Sequence, residues 1–147
     1  MKLFQALKQK NRLVSEIKEL SALLISHNRT SVVAKTSEVN IDDTIEKLNA
    51  KIWELIELKH AINIANQPIQ KDIYILSEHK AFLKALKLVP TATVDVSDGR
   101  WGASKADTSE YNVQMTYDQK QALIEVTVAS IGTLQDRLDE FNFTTEI

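Results

Sequence analysis

The chain has no cysteine, three glycines and two prolines among its 147 residues. Each shortage excludes something. Without cysteine there are no disulfides and no thiol chemistry. So few glycines and prolines leave little room for a turn-rich all-β fold, so helix should dominate. No stretch approaches the ~20 consecutive apolar residues of a membrane span. The opening MKLFQALKQKNRLVSEIKEL is broken by Lys8, Lys10 and Arg12, so it lacks the apolar run of an export signal, and the expected compartment is the cytoplasm. Asn28-Arg29-Thr30 and Asn142-Phe143-Thr144 match the glycosylation pattern, but without such a signal both are read as chance. A formal net charge of -2 gives no basic face for nucleic acid, which is not expected as a partner. There is no Gly-x-Ser-x-Gly and no glycine-rich phosphate loop, so neither an enzyme nor a cofactor is expected.

What remains is a helical grammar. A hydrophobic fraction of 44% with 26% charged residues suits one folded domain spanning residues 1–147. The longest clean repeat runs from Asn40 to Asn66. Ile45, Leu48, Ile52, Leu55 and Ile62 recur at alternating spacings of three and four, with Lys59 and Asn66 in the remaining places, which is the seam of a coiled coil or long helix pair. Asn40 or Asp42 caps its start, Asp43 and Glu46 suit its positive end, and Pro68 disfavours helical geometry at Gln67. At ~1.5 Å per residue this helix is about 38 Å long, which points to an elongated antiparallel helical bundle or coiled coil of long helices.

A first helix over residues 2–27 carries Leu3, Leu7, Val14, Ile17 and Leu24 in one stripe, interrupted by Lys10 and Ser21 and widened by Leu13 and Leu20. Residues 28–39, rich in Ser, Thr and Asn, read as a linker. QKDIYIL reads as a short β-prone run, followed by a third helix over 77–89, capped by Ser77, facing inward with Phe82, Leu83, Leu86 and Val89, and stopped by Pro90. Residues 91–115 alternate on either side of Asp98-Gly99 and predict a small β-hairpin insertion, with Ser97 to Ser109 mobile. Thr116 and Gln119 form a capping box for a last helix over 117–141, with Ile124, Thr127, Ile131, Leu134, Leu138 and Phe141 on one face. Gly132 within it would mark a close helix crossing. The apolar residues of the ending, Phe141 to Ile147, predict a docked tail.

Charge is unevenly spread: residues 1–27 hold five basic and two acidic side chains, and residues 107–147 hold two basic and eight acidic. Opposite signs help the two ends of the chain, or two subunits, find each other. Glu57 and His60, three apart on one helix, are a weak candidate metal pair. Helical di-iron sites use two such pairs with further carboxylates, and here there is one. Asn63 and Asn66 are expected to hydrogen-bond backbone at a helix end and to engage the C-terminal tail. Trp53 borders the seam, or covers it where a second subunit packs, and Trp101, beside Arg100, is a candidate contact residue. Asn142 and Phe143 complete the structural or interface set.

Met1-Lys2-Leu3 with Ala6-Leu7, the segment Ile62-Asn63-Ile64-Ala65-Asn66, Ser109-Glu110-Tyr111 and the ending Asn142-Phe143-Thr144-Thr145-Glu146-Ile147 resemble the septicolysin-like family of small bacterial helical proteins. Pro90 and Asp98-Gly99 depart from it, lying where the family's third helix would run on. The resemblance implies a helical fold and homo-oligomer formation, and the family's name implies a membrane-active, pore-forming protein. The leading expectation is therefore a self-associating structural or protein-interaction module. Membrane activity is the alternative, and a metal-dependent enzyme built on Glu57 and His60 a third.

Overall fold

In the computed structural model the described residues are 1–29, 31, 32, 39–97 and 107–147. Among them the chain is mainly helical, with α1 (Leu3–His27), α2 (Ile41–Asn66), α3 (Gln70–Leu88) and α4 (Tyr117–Thr144), and two short strands, β1 (Val94–Ser97) and β2 (Asp107–Glu110). Expected as one helical domain, the chain divides into two compact units, Met1–Gln70 with Asp139–Ile147, and Lys71–Leu138.

In the first unit α1 and α2 form an antiparallel pair. Gln9 Nε2 donates to Glu54 Oε1 at 3.2 Å and Lys51 Nζ reaches Glu16 Oε2 at 3.1 Å, so positions that rise along α1 fall along α2. The Asn40 side chain accepts from the Asp43 amide at 3.2 Å and caps α2. The core between the helices is Leu3, Ala6, Leu13, Leu58 and Ile62, with Leu7, Leu55, Ala65, Phe141 and Ile147 packed against it. Burying each large aliphatic side chain contributes about 1.5–3 kcal/mol.

The seam has a different register from the expected one. On α1 the residues withdrawn from solvent include Leu3, Ala6, Lys10, Leu13, Ile17, Leu20 and Leu24, with Val14 exposed. On α2 they include Ile41, Thr44, Leu48, Lys51, Leu55, Leu58, Ile62 and Ala65, with Ile45, Ile52 and Lys59 exposed. Both stripes keep the three-four spacing but are turned by roughly 50°, half of one residue's rotation. The turn puts Leu20 where Ser21 was expected, and Leu58 where Lys59 was. Three polar residues, Lys10, Thr44 and Lys51, enter the seam, the last two at little penalty. The Thr44 hydroxyl donates to the Asn40 carbonyl at 2.7 Å, and Lys51 lays its stem along the seam while its ammonium reaches two carboxylates.

The two chain ends close this unit. The Leu3 amide donates to the Thr145 carbonyl and the Ile147 amide to the Met1 carbonyl, both at 2.9 Å, around an antiparallel bridge between Lys2 and Glu146. Lys2 Nζ also pairs with Glu146 at 2.9 Å and donates to the Thr144 carbonyl at 3.0 Å. The tail is docked.

After α2 the chain makes a 3₁₀ turn, Gln67–Ile69, and enters α3 at Gln70. QKDIYIL is thus helical rather than β-prone, α3 starts well before the expected residue 77, and Ser77 lies inside it. Proline fits because it stands in the first turn of the 3₁₀ segment, where an amide lacks an intrahelical partner anyway, and Gln67 stays helical at φ -50° and ψ -44°.

In the second unit α3 and α4 run antiparallel. Arg137 Nη1 pairs with Asp72 Oδ2 at 3.0 Å, Ser130 Oγ lies 3.1 Å from His79 Nδ1, and Lys120 Nζ donates to the Val89 carbonyl at 2.8 Å. Leu76, Leu86, Thr127 and Leu138 are buried, and Phe82, expected inward, is exposed. Thr116 and Gln119 exchange the two hydrogen bonds of a capping box at the start of α4, at 2.9 and 3.3 Å. A Cβ on Gly132 would meet nothing within 4 Å, so no close helix crossing occurs there. β1 and β2 pair antiparallel, Val94 opposite Glu110 and Ser97 opposite Asp107. The expected second strand, Glu110 to Met115, has strand geometry only at Glu110. Asp98-Gly99 and most of the expected mobile segment lie outside the described residues.

Candidate interaction site

The α1–α2 pair has two flanks of opposite chemistry. On one, Arg12 Nε pairs with Glu16 Oε1 at 2.7 Å, and Lys51 Nζ bridges Glu16 Oε2 and Glu54 Oε2, both at 3.1 Å. The Arg12 guanidinium, and then the Lys51 ammonium, hold the Glu16 carboxyl below the ordinary carboxylate range. Glu54 first, then Glu16, raise the Lys51 ammonium. These groups satisfy one another along a shallow groove.

The other flank is apolar. Val14 and Ile25 on α1 are 47% and 82% exposed, and Ile45, Ile52 and Ile56 on α2 are 40%, 37% and 44% exposed. On each helix these residues lie about a quarter turn from the buried stripe, in the same rotational sense. In an antiparallel pair, equal rotations from the two facing stripes lead to the same side. The five side chains therefore share one face, opposite the charged groove.

Glu57 and His60 are both exposed on α2, and among the described residues no group of three or more His, Cys, Asp or Glu side chains could hold a metal ion. Asn63 is exposed, and half-buried Asn66 caps the 3₁₀ turn without a side-chain hydrogen bond. Trp53 is 64% exposed, on the side of α2 facing away from the seam. Asn142 is half-buried. Phe143 stacks on Phe4, ring centres 4.7 Å apart and planes tilted by 40°. Trp101 lies outside the described residues.

The spacing of the α2 isoleucines did not reveal the apolar face, because Ile45 and Ile52 fit the seam pattern and Ile56 falls outside it. The available signal was width: on each helix the apolar positions cover more than one partner requires. A second apolar groove, lined by Val89, Pro90, Ala92, Tyr111, Val113 and Met115, lies beside the strands. No charged side chain lines it.

No family model, characterised protein or solved structure matches this chain. Leu3 and Ala6 near the start of α1, Ile62 and Ala65 near the end of α2, and Ile147 meet in one packed cluster.

Proposed function

We propose that this protein is a self-associating helical module with a structural or protein-interaction role. One observation carries this reading. The α1–α2 seam is already filled, yet a further row of aliphatic side chains at helical spacing stays in water on one side of the pair. Exposed apolar surface of that continuity marks a contact site. A bundle of long helices, completed by association between chains, is the architecture this reading favours, and a cytoplasmic location, checked by cell fractionation, belongs to the same proposal. The test is solution mass by light scattering across a concentration series: an oligomer that dissociates on dilution is expected, and a monomer throughout would overturn the reading.

Membrane activity is the second reading, supported by the same exposed row, since an amphipathic helix can lay such a row into a lipid surface. No helix among the described residues is long and apolar enough to cross a membrane. Leakage of dye from anionic vesicles would favour this reading over the first. For the pair Glu57 and His60, titration with Zn²⁺ or Fe²⁺ is expected to release no binding heat.

A further inference from the structure

We infer that the apolar face of the α1–α2 pair is a two-fold interface with a second copy of this chain, built so that each helix meets its own counterpart head to tail. The inference rests on the self-association proposed above and names the surface and its geometry.

Three observations identify the occupant. The first is area. Between residues 4 and 25 of α1, the outermost positions the two-fold axis pairs, the interface is about 32 Å long and spans two helices, about 18 Å, giving about 570 Å² per chain. Two copies would bury about 1,100 Å² together, above the ~1,000 Å² that a specific interface needs.

The second is self-complementarity. A two-fold axis lying in the face, at right angles to the helices, sets α2 antiparallel to its counterpart. Centred between Ala50 and Lys51, it places Ile45 against the second copy's Ile56 and Ile52 against its Asn49, so apolar meets apolar or uncharged. Asp42 and Lys59, exposed near opposite ends of this face and making no ion pair among the described residues, then lie against each other across the interface.

The third is register. The same axis must serve α1, and the contacts Gln9 to Glu54 and Glu16 to Lys51 fix which α1 residues lie level with residues 50 and 51. They are Val14 and Ser15. About that point Ile25 comes level with Phe4, which already packs on Phe143, and Lys18 meets Asn11, so no like charges face each other. A heterologous partner would not require the charge pattern of α2 and the apolar pattern of α1 to share one midpoint.

The experiment uses the full chain. Because it has no cysteine, a single introduced thiol reports contact unambiguously. Val14→Cys, near the axis, is expected to give a disulfide-linked dimer under mild oxidation, and Arg12→Cys, in the charged groove on the opposite flank, is not. Equal or preferential cross-linking of the Arg12 variant would overturn the inference. Sedimentation equilibrium supplies the second arm. Ile45→Glu with Ile52→Glu should raise the dissociation constant by about 100-fold or more while helical circular dichroism is retained, since both positions are exposed within one chain. Asp42→Lys should raise it by about 3–10-fold, and adding Lys59→Asp should restore it. A wild-type protein that is monomeric at all concentrations defeats self-association itself. An oligomer that survives the glutamates, or a charge swap that does not rescue, defeats this face and register alone.

Discussion

Leu13 and Val14 are adjacent in sequence and differ completely in surroundings: Leu13 is 2% exposed and belongs to the core cluster, while Val14 faces out. Leu13→Ala should destabilise the protein by about 2–4 kcal/mol in urea unfolding, the range for a buried leucine truncated in a packed site. Glu57→Ala, at an exposed position, should stay within about 0.5 kcal/mol of wild type. Gly132 offers the opposite sign. It lies in the interior of α4 with open space where a Cβ would go, so Gly132→Ala should stabilise by about 0.5–1 kcal/mol. For Glu16 the effect depends on pH. Its carboxyl is held below the ordinary range by Arg12 and Lys51, so its contribution is complete above that range and is lost as pH falls through the lowered folded-state value. Thermal melts of wild type and Glu16→Gln should therefore differ slightly at pH 6 and converge in acid. The gap will be small because the group is on the surface. At this scale the sequence distinguished core from surface poorly. A wide apolar stripe does not say which of two neighbouring lines faces the partner, and the seam holds Thr44 and Lys51, whose polar atoms are satisfied by contacts that hydropathy cannot see.

Among the elements, α2 was legible at both ends because its signals are local: Asn40 is a good cap, and the helix stops one residue before Gln67. The box at Thr116 and the inward face of α4 were legible for the same reason, including the buried Thr127 and Leu138. The start of α3 was not. A proline was read as a barrier, whereas it sits in the first positions of the 3₁₀ turn that opens at Gln67, and Ile73 and Ile75 have β propensity that the helical context overrides. The paired chain ends escaped sequence reasoning in detail, since no local rule says that residues 2 and 146 are neighbours. Deleting residues 145–147 removes the Leu3 to Thr145 and Ile147 to Met1 hydrogen bonds and the Ile147 side chain from the core. It should destabilise the first unit by about 2 kcal/mol or more. The amide of Leu3 should lose its protection in hydrogen exchange.

For the whole molecule, the sequence supported a mainly helical chain and left the division into two units hidden, because that division follows from which helices touch rather than from any change in composition. The buried aliphatic residues are unevenly shared. Leu3, Leu13, Leu58, Ile62 and Ile69 belong to the first unit, and Leu76, Leu86 and Leu138 to the second. Amide exchange should accordingly be slowest around Leu13, Leu58 and Ile62, and faster through α3, where fewer apolar contacts oppose opening.

The bridge between Met1–Leu3 and Thr145–Ile147 also fixes how the chain would respond to mechanical load. The two ends leave the fold side by side, so tension applied through handles at residues 1 and 147 would peel the backbone hydrogen bonds open one after another rather than shear them together. In an optical trap the first event would be a short, low-force extension confined to these ends, with α1 and α2 still paired, before any helix begins to unravel.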